Sequence, residues 1–275
     1  VHQRSYRLPA ALFFSLITLA GCAATGQRQV QIQPVPPDLG PICANSQTDP
    51  LGSYECGRRL DAYVKRNIAA TVKLWPILYD QNGGVSGAMG TGAMVSSSGH
   101  VLTAYHVIKD ADYVMATIRR ANMGFGVQIV PLKTIPMVVV QTDPVHDLAL
   151  LRPKHPERFD HYLTPATSWQ LQEGELLWHF GQATVGLRGA AKVMSMTVLG
   201  FEGVVGIEVK SQEGDSGGPV VTLDGKLVGI ILANNEQKGM LYFMPIAQAM
   251  KLLERQEGVE RTEAEMGEAR DRIDR

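Results

Sequence analysis

Cysteine is scarce in this chain. There are three in 275 residues, at positions 22, 43 and 56, and none beyond. A scaffold stapled throughout by disulfides is therefore excluded, and the part of the chain after residue 56 must hold together by packing. Charge of one sign is lacking too: 26 Lys and Arg face 27 Asp and Glu, for a formal net charge of −1. Nothing in that balance suggests a nucleic acid as partner. The seven histidines are scattered without the spacing of a zinc site, so no metal or other cofactor is expected. Long apolar runs are almost absent. One, Leu8–Ala20, is too short for an ordinary spanning helix. What remains is 45% hydrophobic and 19% charged, which suits one globular domain with extensions.

The apolar run has a specific setting. Arg4 and Arg7 precede it, and Leu19-Ala20-Gly21-Cys22 places small residues before a cysteine. Residues 1–21 read as a secretory signal, and the segment resembles a bacterial lipobox. The resemblance implies cleavage before Cys22 and lipidation of that residue. A plain signal peptide or an uncleaved anchor is the alternative. Ala23 follows the cysteine; by the sorting rule of many Gram-negative species, that implies the periplasmic face of the outer membrane. Residues 22–57 form a tether carrying prolines 34, 36, 37, 41 and 50, an extended spacer by composition. Export puts Cys43 and Cys56 in an oxidising compartment. They are either bridged, contributing about 3 kcal/mol by the chain-entropy model, or free thiols.

The main domain is expected over residues 58–255, with a charged tail over 256–275. Leu60, Tyr63, Val64 and Ile68 stand at helical spacing within Tyr54–Ala70 and predict a short helix against the first half of the domain. Two series of short β-like runs follow. The first is Thr71–Tyr79, Gly87–Ser96, His100–Ile108, Tyr113–Ile118, Gly126–Pro131, Ile135–Val140 and Leu148–Arg152. The second is Glu175–Phe180, Ala190–Leu199, Gly203–Lys210, Pro219–Leu223, Lys226–Leu232 and Met240–Met244. Their spacing suits two small antiparallel barrels. Leu223-Asp224-Gly225-Lys226 reads as a hairpin turn, and Pro245–Leu253 as a closing helix.

Residues 213–219, Glu-Gly-Asp-Ser-Gly-Gly-Pro, carry the most information. A serine hydroxyl becomes a useful nucleophile when a turn exposes it and backbone N–H groups point where an oxyanion forms. His106 ends the run Val101–Val107, and Asp147 precedes the apolar run Leu148–Leu151. The order His106, Asp147, Ser216 is that of chymotrypsin-like enzymes, not of subtilisins or α/β-hydrolases. Over about residues 65–252 the chain resembles the trypsin/chymotrypsin-like serine proteases. It is most similar to their HtrA-type bacterial branch, through Gly90-Thr91-Gly92-Ala93-Met94-Val95 and Ser98-Gly99-His100-Val101-Leu102-Thr103. The PDZ domain that many of that branch carry is not expected within these 275 residues.

The resemblance implies an all-β fold of two six-stranded antiparallel β-barrels with a C-terminal helix. It implies a serine endopeptidase acting on proteins or peptides through an acyl-enzyme. Ser216 is then the nucleophile, His106 the general base, Asp147 its orienting partner, and the N–H groups of Gly214 and Ser216 the oxyanion hole. The substrate strand maps to Leu232, Ala233 and Asn234, and the specificity pocket to Lys210, Ser211, Asn234 and Met240. A narrow pocket for a small aliphatic side chain is one outcome; selection of an acidic residue by Lys210 is the other. The alternative to an enzyme is a lipid-anchored binding or scaffold protein on a protease fold. Two departures matter. Val107 stands where trypsin-type enzymes have cysteine, and no Ile-Val-Gly-Gly start exists to supply an amine to Asp215. Asp215 is then either exposed or buried against an internal cation, for which His179 and Arg188 are the candidates.

Overall fold

The computed structural model describes residues 50–82, 84–124, 126–168, 170–182, 187–192, 200–201, 203–209 and 211–254. The segment read as a signal peptide, Cys22, Cys43 and the charged tail beyond 255 lie outside them. The first element is helix α1, Pro50–Ala69. It starts before the predicted Tyr54, so the last residues assigned to the tether, Cys56 among them, are helical. Proline suits a first turn because its missing N–H would have no intrahelical partner there. The helix stops where β-branched residues begin. The Thr71 hydroxyl donates to the carbonyl of Asn67 (2.7 Å) and so satisfies one of its last acceptors.

Seven strands follow: β1 (Thr71–Tyr79), β2 (Val85–Ser86), β3 (Gly90–Met94), β4 (Val101–Ala104), β5 (Tyr113–Gly124), β6 (Gly126–Asp143) and β7 (Leu148–Pro153). They form one antiparallel sheet in the order β2-β1-β3-β4-β7-β6-β5, and β5 pairs back onto β1 to close a six-stranded barrel with β2 as an appendage. Pro76 sits mid-strand in β1. It pairs with Val114 of β5 on one side; on the other, pairing with β3 ends at Leu74 and pairing with β2 begins at Leu78, which leaves a gap where the missing N–H costs no ladder bond. The two runs predicted at 126–131 and 135–140 are one strand, β6, because β5 is long enough to pair along both.

Helix α2, Tyr105–Ile108, is a single turn after β4. The second sheet comprises β8 (Thr164–Pro165), β9 (Leu176–His179), β10 (Leu187–Lys192), β11 (Val205–Glu208), β12 (Pro219–Val221), β13 (Lys226–Asn235) and β14 (Met240–Pro245). Its order is β12-β9-β10-β11-β14-β13-β8, and it curls round because β12 pairs with both β9 and β13. One pairing departs from the antiparallel expectation: β8 runs parallel to β13. Gly225 takes φ 80° in the turn between β12 and β13, as the hairpin reading requires. Helix α3 covers residues 246–254. The fold is all-β and chymotrypsin-like, a closed barrel and a curled second sheet with one C-terminal helix. No helix among the described residues is long and apolar enough to cross a membrane.

Each sheet wraps its own core. Val72, Leu74, Met94, Val101, Ala149 and Leu151 fill the first; Leu177, Ile207, Val220, Ile231, Leu241 and Phe243 fill the second. A third cluster joins α1 and elements of both sheets, including Ile68, Leu102, Phe180, Leu227 and Ile230. Helix α1 therefore does not pack on the first barrel alone. The Tyr63 ring meets Trp178 edge-on at 5.5 Å, and its hydroxyl donates to the Thr222 carbonyl (2.8 Å). Phe243 is fully buried in the second core. Phe243→Ala is expected to cost about 3–5 kcal/mol by loss of transfer energy plus the cavity left behind, read as a lowered urea midpoint at unchanged slope.

Candidate active site

The site lies where the two sheets face one another, and small residues let them meet. Thr91 of β3 donates its N–H to the Ser216 carbonyl (2.8 Å) and its hydroxyl to the Gly214 carbonyl (2.6 Å). Its own carbonyl accepts the Thr103 hydroxyl (2.7 Å). Gly217 is pressed against this pair at φ 84°; a Cβ there would overlap the Thr91 carbonyl oxygen and the Thr103 hydroxyl. That close approach sets Ser216 beside the end of β4, two residues before His106.

His106 sits in α2, with its side chain 46% exposed, while Asp147 is 3% exposed. Asp147 holds it at three points. The His106 N–H donates to Oδ1 (2.8 Å), His106 Nδ1 lies 2.6 Å from Oδ2, and the Tyr105 N–H donates to the Asp147 carbonyl (2.9 Å). An ionised carboxylate only accepts, so Nδ1 carries the proton and the neutral ring turns a lone pair on Nε2 toward the cleft. Asp147 takes φ 53°, the one positive φ among the described non-glycine residues. That conformation costs about 1 kcal/mol for an L-residue. His146, next to it, turns away to Asp143 (2.7 Å). Burial alone would raise the Asp143 carboxyl pKa, but hydrogen bonds from His146 and its charge outweigh this and hold it below the ordinary value.

The Ser216 hydroxyl donates to the Leu232 carbonyl (3.1 Å); no hydrogen bond joins it to His106 among the described residues. Leu232 is the extra residue of a β-bulge between Ile231 and Ala233 on β13, which frees its carbonyl from the ladder. The N–H groups of Gly214 (φ 94°) and Ser216 donate to no protein acceptor among the described residues. His106, Gly214 and Ser216 line a cleft of about 780 Å³ with Met89, Val107, Ser211, Gln212, Ala233 and Asn234. The Asn234 side chain ties one wall together by donating to the Ser211 carbonyl (3.1 Å). Leu232 and Met240 are buried in the core, away from that lining, and Lys210 lies outside the described residues. Beyond Ile231, β13 pairs with β14 on one side, and its other edge has no strand against it among the described residues, since β12 pairs only with the earlier part. No group of three His, Cys, Asp or Glu able to hold a metal occurs among the described residues.

Asp215 is 1% exposed, which decides between the two alternatives left open for it. Its carboxylate accepts the Gln212 N–H (3.1 Å) and packs on Gly181 so closely that a Cβ there would overlap it. Its charge supports that of Arg119, a cation the sequence reading had not named. His179 is buried in β9, its backbone paired with β10 and β12, and the Arg188 side chain lies outside the described residues. Sequence reasoning missed Arg119 because the predicted strand stopped at Ile118. Its signal was an arginine continuing an otherwise apolar run. Thr91 was also missed, although it sits between two glycines. Gly217→Ala, which brings both the overlap and a disfavoured φ, is expected to lose more stability than about 2 kcal/mol and to abolish any activity of the cleft. Thermal unfolding alongside a hydrolysis assay reads both.

Comparison with known proteins fits this geometry. Residues 90–230 match the model of the trypsin-like peptidase domain. A protein of Chlamydia muridarum named "Probable periplasmic serine endoprotease DegP-like" is 29% identical over 148 residues, 51% of this chain and 27% of that protein. One of Paramagnetospirillum magneticum named "Probable membrane transporter protein MamO" is 27% identical over 160 residues, 55% of this chain and 24% of that protein. The chain thus spans about a quarter of the length of these curated relatives. Among solved structures, the serine endoprotease of Yersinia pestis superposes with a TM-score of 0.53 at 20% identity, over 71% of this chain and 65% of that one. The MamO protease domain of Magnetospirillum magneticum gives 0.52 at 23%, over 68% and 96%. With the matched segment running from β3 into β13, across both halves of the cleft, the chain belongs to the trypsin-like peptidase domain family.

Proposed function

We propose that this protein is an exported, lipid-anchored serine endopeptidase that cleaves proteins or peptides of the cell envelope. The observation that carries the reading is the 2.6 Å contact of His106 Nδ1 with a buried Asp147, on a histidine that faces the same cleft as Ser216. In this reading Ser216 turns from the Leu232 carbonyl to His106, a rotation about one side-chain bond. Nε2 takes the hydroxyl proton as Oγ attacks the scissile carbonyl. The N–H groups of Gly214 and Ser216 receive the oxyanion. His106 then protonates the leaving amine, and water resolves the acyl-enzyme by the same path in reverse. Asp147 keeps the tautomer and stabilises the imidazolium. The open β13 edge at 232–235 would take the substrate backbone as an added strand, with Ser211 and Asn234 walling the side-chain pocket. Lys210 remains a candidate for that pocket by resemblance alone.

Export and anchoring rest on residues 1–22 and on the periplasmic naming of the Chlamydia relative. The second reading, a binding protein on a protease fold, draws on the serine hydroxyl bonded to Leu232 instead of His106, and on a relative named as a transporter.

Two experiments test these points. Ser216→Ala is expected to keep the unfolding midpoint, lose fluorophosphonate labelling and lower peptide cleavage by about 10⁴-fold or more. Absence of labelling in the native protein would favour the binding reading. For the anchor, mass spectrometry of the N-terminal peptide is expected to show a diacylglyceryl thioether on Cys22, and Cys22→Ser to release the chain from membranes. A native chain that starts elsewhere or carries an unmodified thiol would end the lipoprotein proposal.

A further inference from the structure

The loop that carries Ser216 belongs to the second sheet, yet the arginine that answers its buried charge comes from the first. The β5–β6 register shifts between Ile118 and Arg119, where Leu132 of β6 is the extra residue; a bulge of this kind increases the local twist of the pair. Arg119 is 5% exposed despite its charge. Its Nε donates to the Thr71 carbonyl (3.2 Å) within the first barrel. The far end of the guanidinium crosses over: Nη2 donates to the Gly181 carbonyl (3.3 Å) and Nη1 to Gln182 Oε1 (3.3 Å). Both acceptors follow β9 and border the serine loop. Gly181 is the surface on which the Asp215 carboxylate lies, and Gln182 places its Cγ 3.7 Å from where a Gly214 Cβ would stand. Arg119 therefore reaches both residues that precede Ser216, one through Gly181 and one through Gln182.

We propose that Arg119 is a positioning residue that clamps the 211–216 loop with the N–H groups of Gly214 and Ser216 facing the cleft. This deepens the endopeptidase reading and rests on it for its consequence in catalysis. The clamp joins three parts: one guanidinium planar enough to serve Thr71, Gly181 and Gln182 at once, a carboxylate buried one residue before the serine, and a glycine, Gly181, that touches both. Burial holds the Arg119 pKa down to about 10 and the Asp215 charge pushes it back up, so the group stays a cation at neutral pH. It touches no reacting atom. Its effect passes through the shape of the loop.

The test uses the full chain as wild type, Arg119→Gln, Arg119→Lys and Arg119→Gln/Asp215→Asn. Amide hydrogen exchange over 211–217 needs no substrate and reads the loop directly. Arg119→Gln is expected to speed exchange there by about tenfold or more while β4 and β7 stay within about twofold. In cleavage assays it is expected to lower kcat by about 100-fold, the scale of losing one oxyanion donor, with KM within about threefold. Arg119→Lys keeps the charge and the double variant removes the buried acid, so each is expected to recover about tenfold. If Arg119→Gln does not fold, Arg119→Lys against wild type shows the same pattern with a smaller change. The proposal is overturned if the loop and kcat stay within about twofold of wild type. It is overturned equally if exchange rises across the whole first barrel, or if neither Lys nor the double variant recovers activity. A wild type inert to fluorophosphonate whose loop alone loosens in Arg119→Gln would keep the clamp and end the endopeptidase reading. A wild type that cleaves while its loop ignores Arg119→Gln would do the reverse.

Discussion

A carboxylate buried one residue before Ser216 is the constraint on which the cleft depends. Moving an ion out of water costs several kcal/mol even after a protein relaxes around it, so Asp215 dictates what surrounds it. It takes the Gln212 N–H, which bends the loop into a tight turn. It requires glycine at 181, since any side chain there would occupy its volume. It also supports the charge on Arg119, which is itself withdrawn from water. Desolvation lowers the arginine's pKa to about 10, with Asp215 offsetting part of the fall. The sign is unfavourable: the unfolded chain holds that proton more tightly, so burying Arg119 works against folding at neutral pH by about 3 kcal/mol. The cost fades only as pH rises from about 10 toward the unfolded value. A hydrophobic residue in its place would avoid that cost and leave Asp215 less supported. The arrangement serves geometry more than stability.

The same preference for geometry recurs around the cleft. Asp147 holds a left-handed backbone, Leu232 is the odd residue of a bulge, Arg119 stands across from another, and Gly214 and Gly217 both take positive φ. Regular strands satisfy their own hydrogen bonds and leave nothing over. Each irregularity releases a group from that accounting: the Leu232 carbonyl for the serine hydroxyl, two N–H groups with no protein acceptor among the described residues, a carboxylate aimed at a histidine. Strain of this kind persists only where surrounding structure over-determines it. Thr91 does so, gripping the serine loop through two hydrogen bonds while Thr103 fixes its carbonyl from behind.

What was legible in the sequence follows from the range of the forces involved. Strands showed as runs of β-branched and apolar residues, and the β12–β13 turn as Asp-Gly, because alternation and φ > 0 are local properties. The ordered His, Asp and Ser motifs were legible as strings because each is built around its own turn. Arg119 was not. Its role depends on a bulge, a partner 96 positions away at 215 and a glycine at 181, none of which a short window contains. The parallel pairing of β8 with β13 was hidden for the same reason, as a two-residue strand has no periodicity to detect. Helix α1 began earlier than its apolar spacing indicated, because Gly52 and Gly57 lower helix propensity over a segment that is nonetheless helical. Asp215 was legible as a question only: a carboxylate after a glycine can face water or protein, and the density of the surroundings decides.

The three hydrophobic clusters explain how so strained a site is tolerated. Each sheet has a core of its own, and the third cluster, under α1, holds the sheets together on residues such as Ile68, Phe180 and Ile230. Packing of that kind is nearly indifferent to the polar arrangement a few ångströms away. The cleft is joined across the same interface by a handful of directional contacts: Thr91 to the serine loop and Arg119 to Gly181 and Gln182. Removing one of these contacts frees a loop without opening a core. Stability and geometry are thus carried by different residues at one interface. A side chain such as Arg119, which works against the first and serves the second, can persist because the cores bear the load of folding.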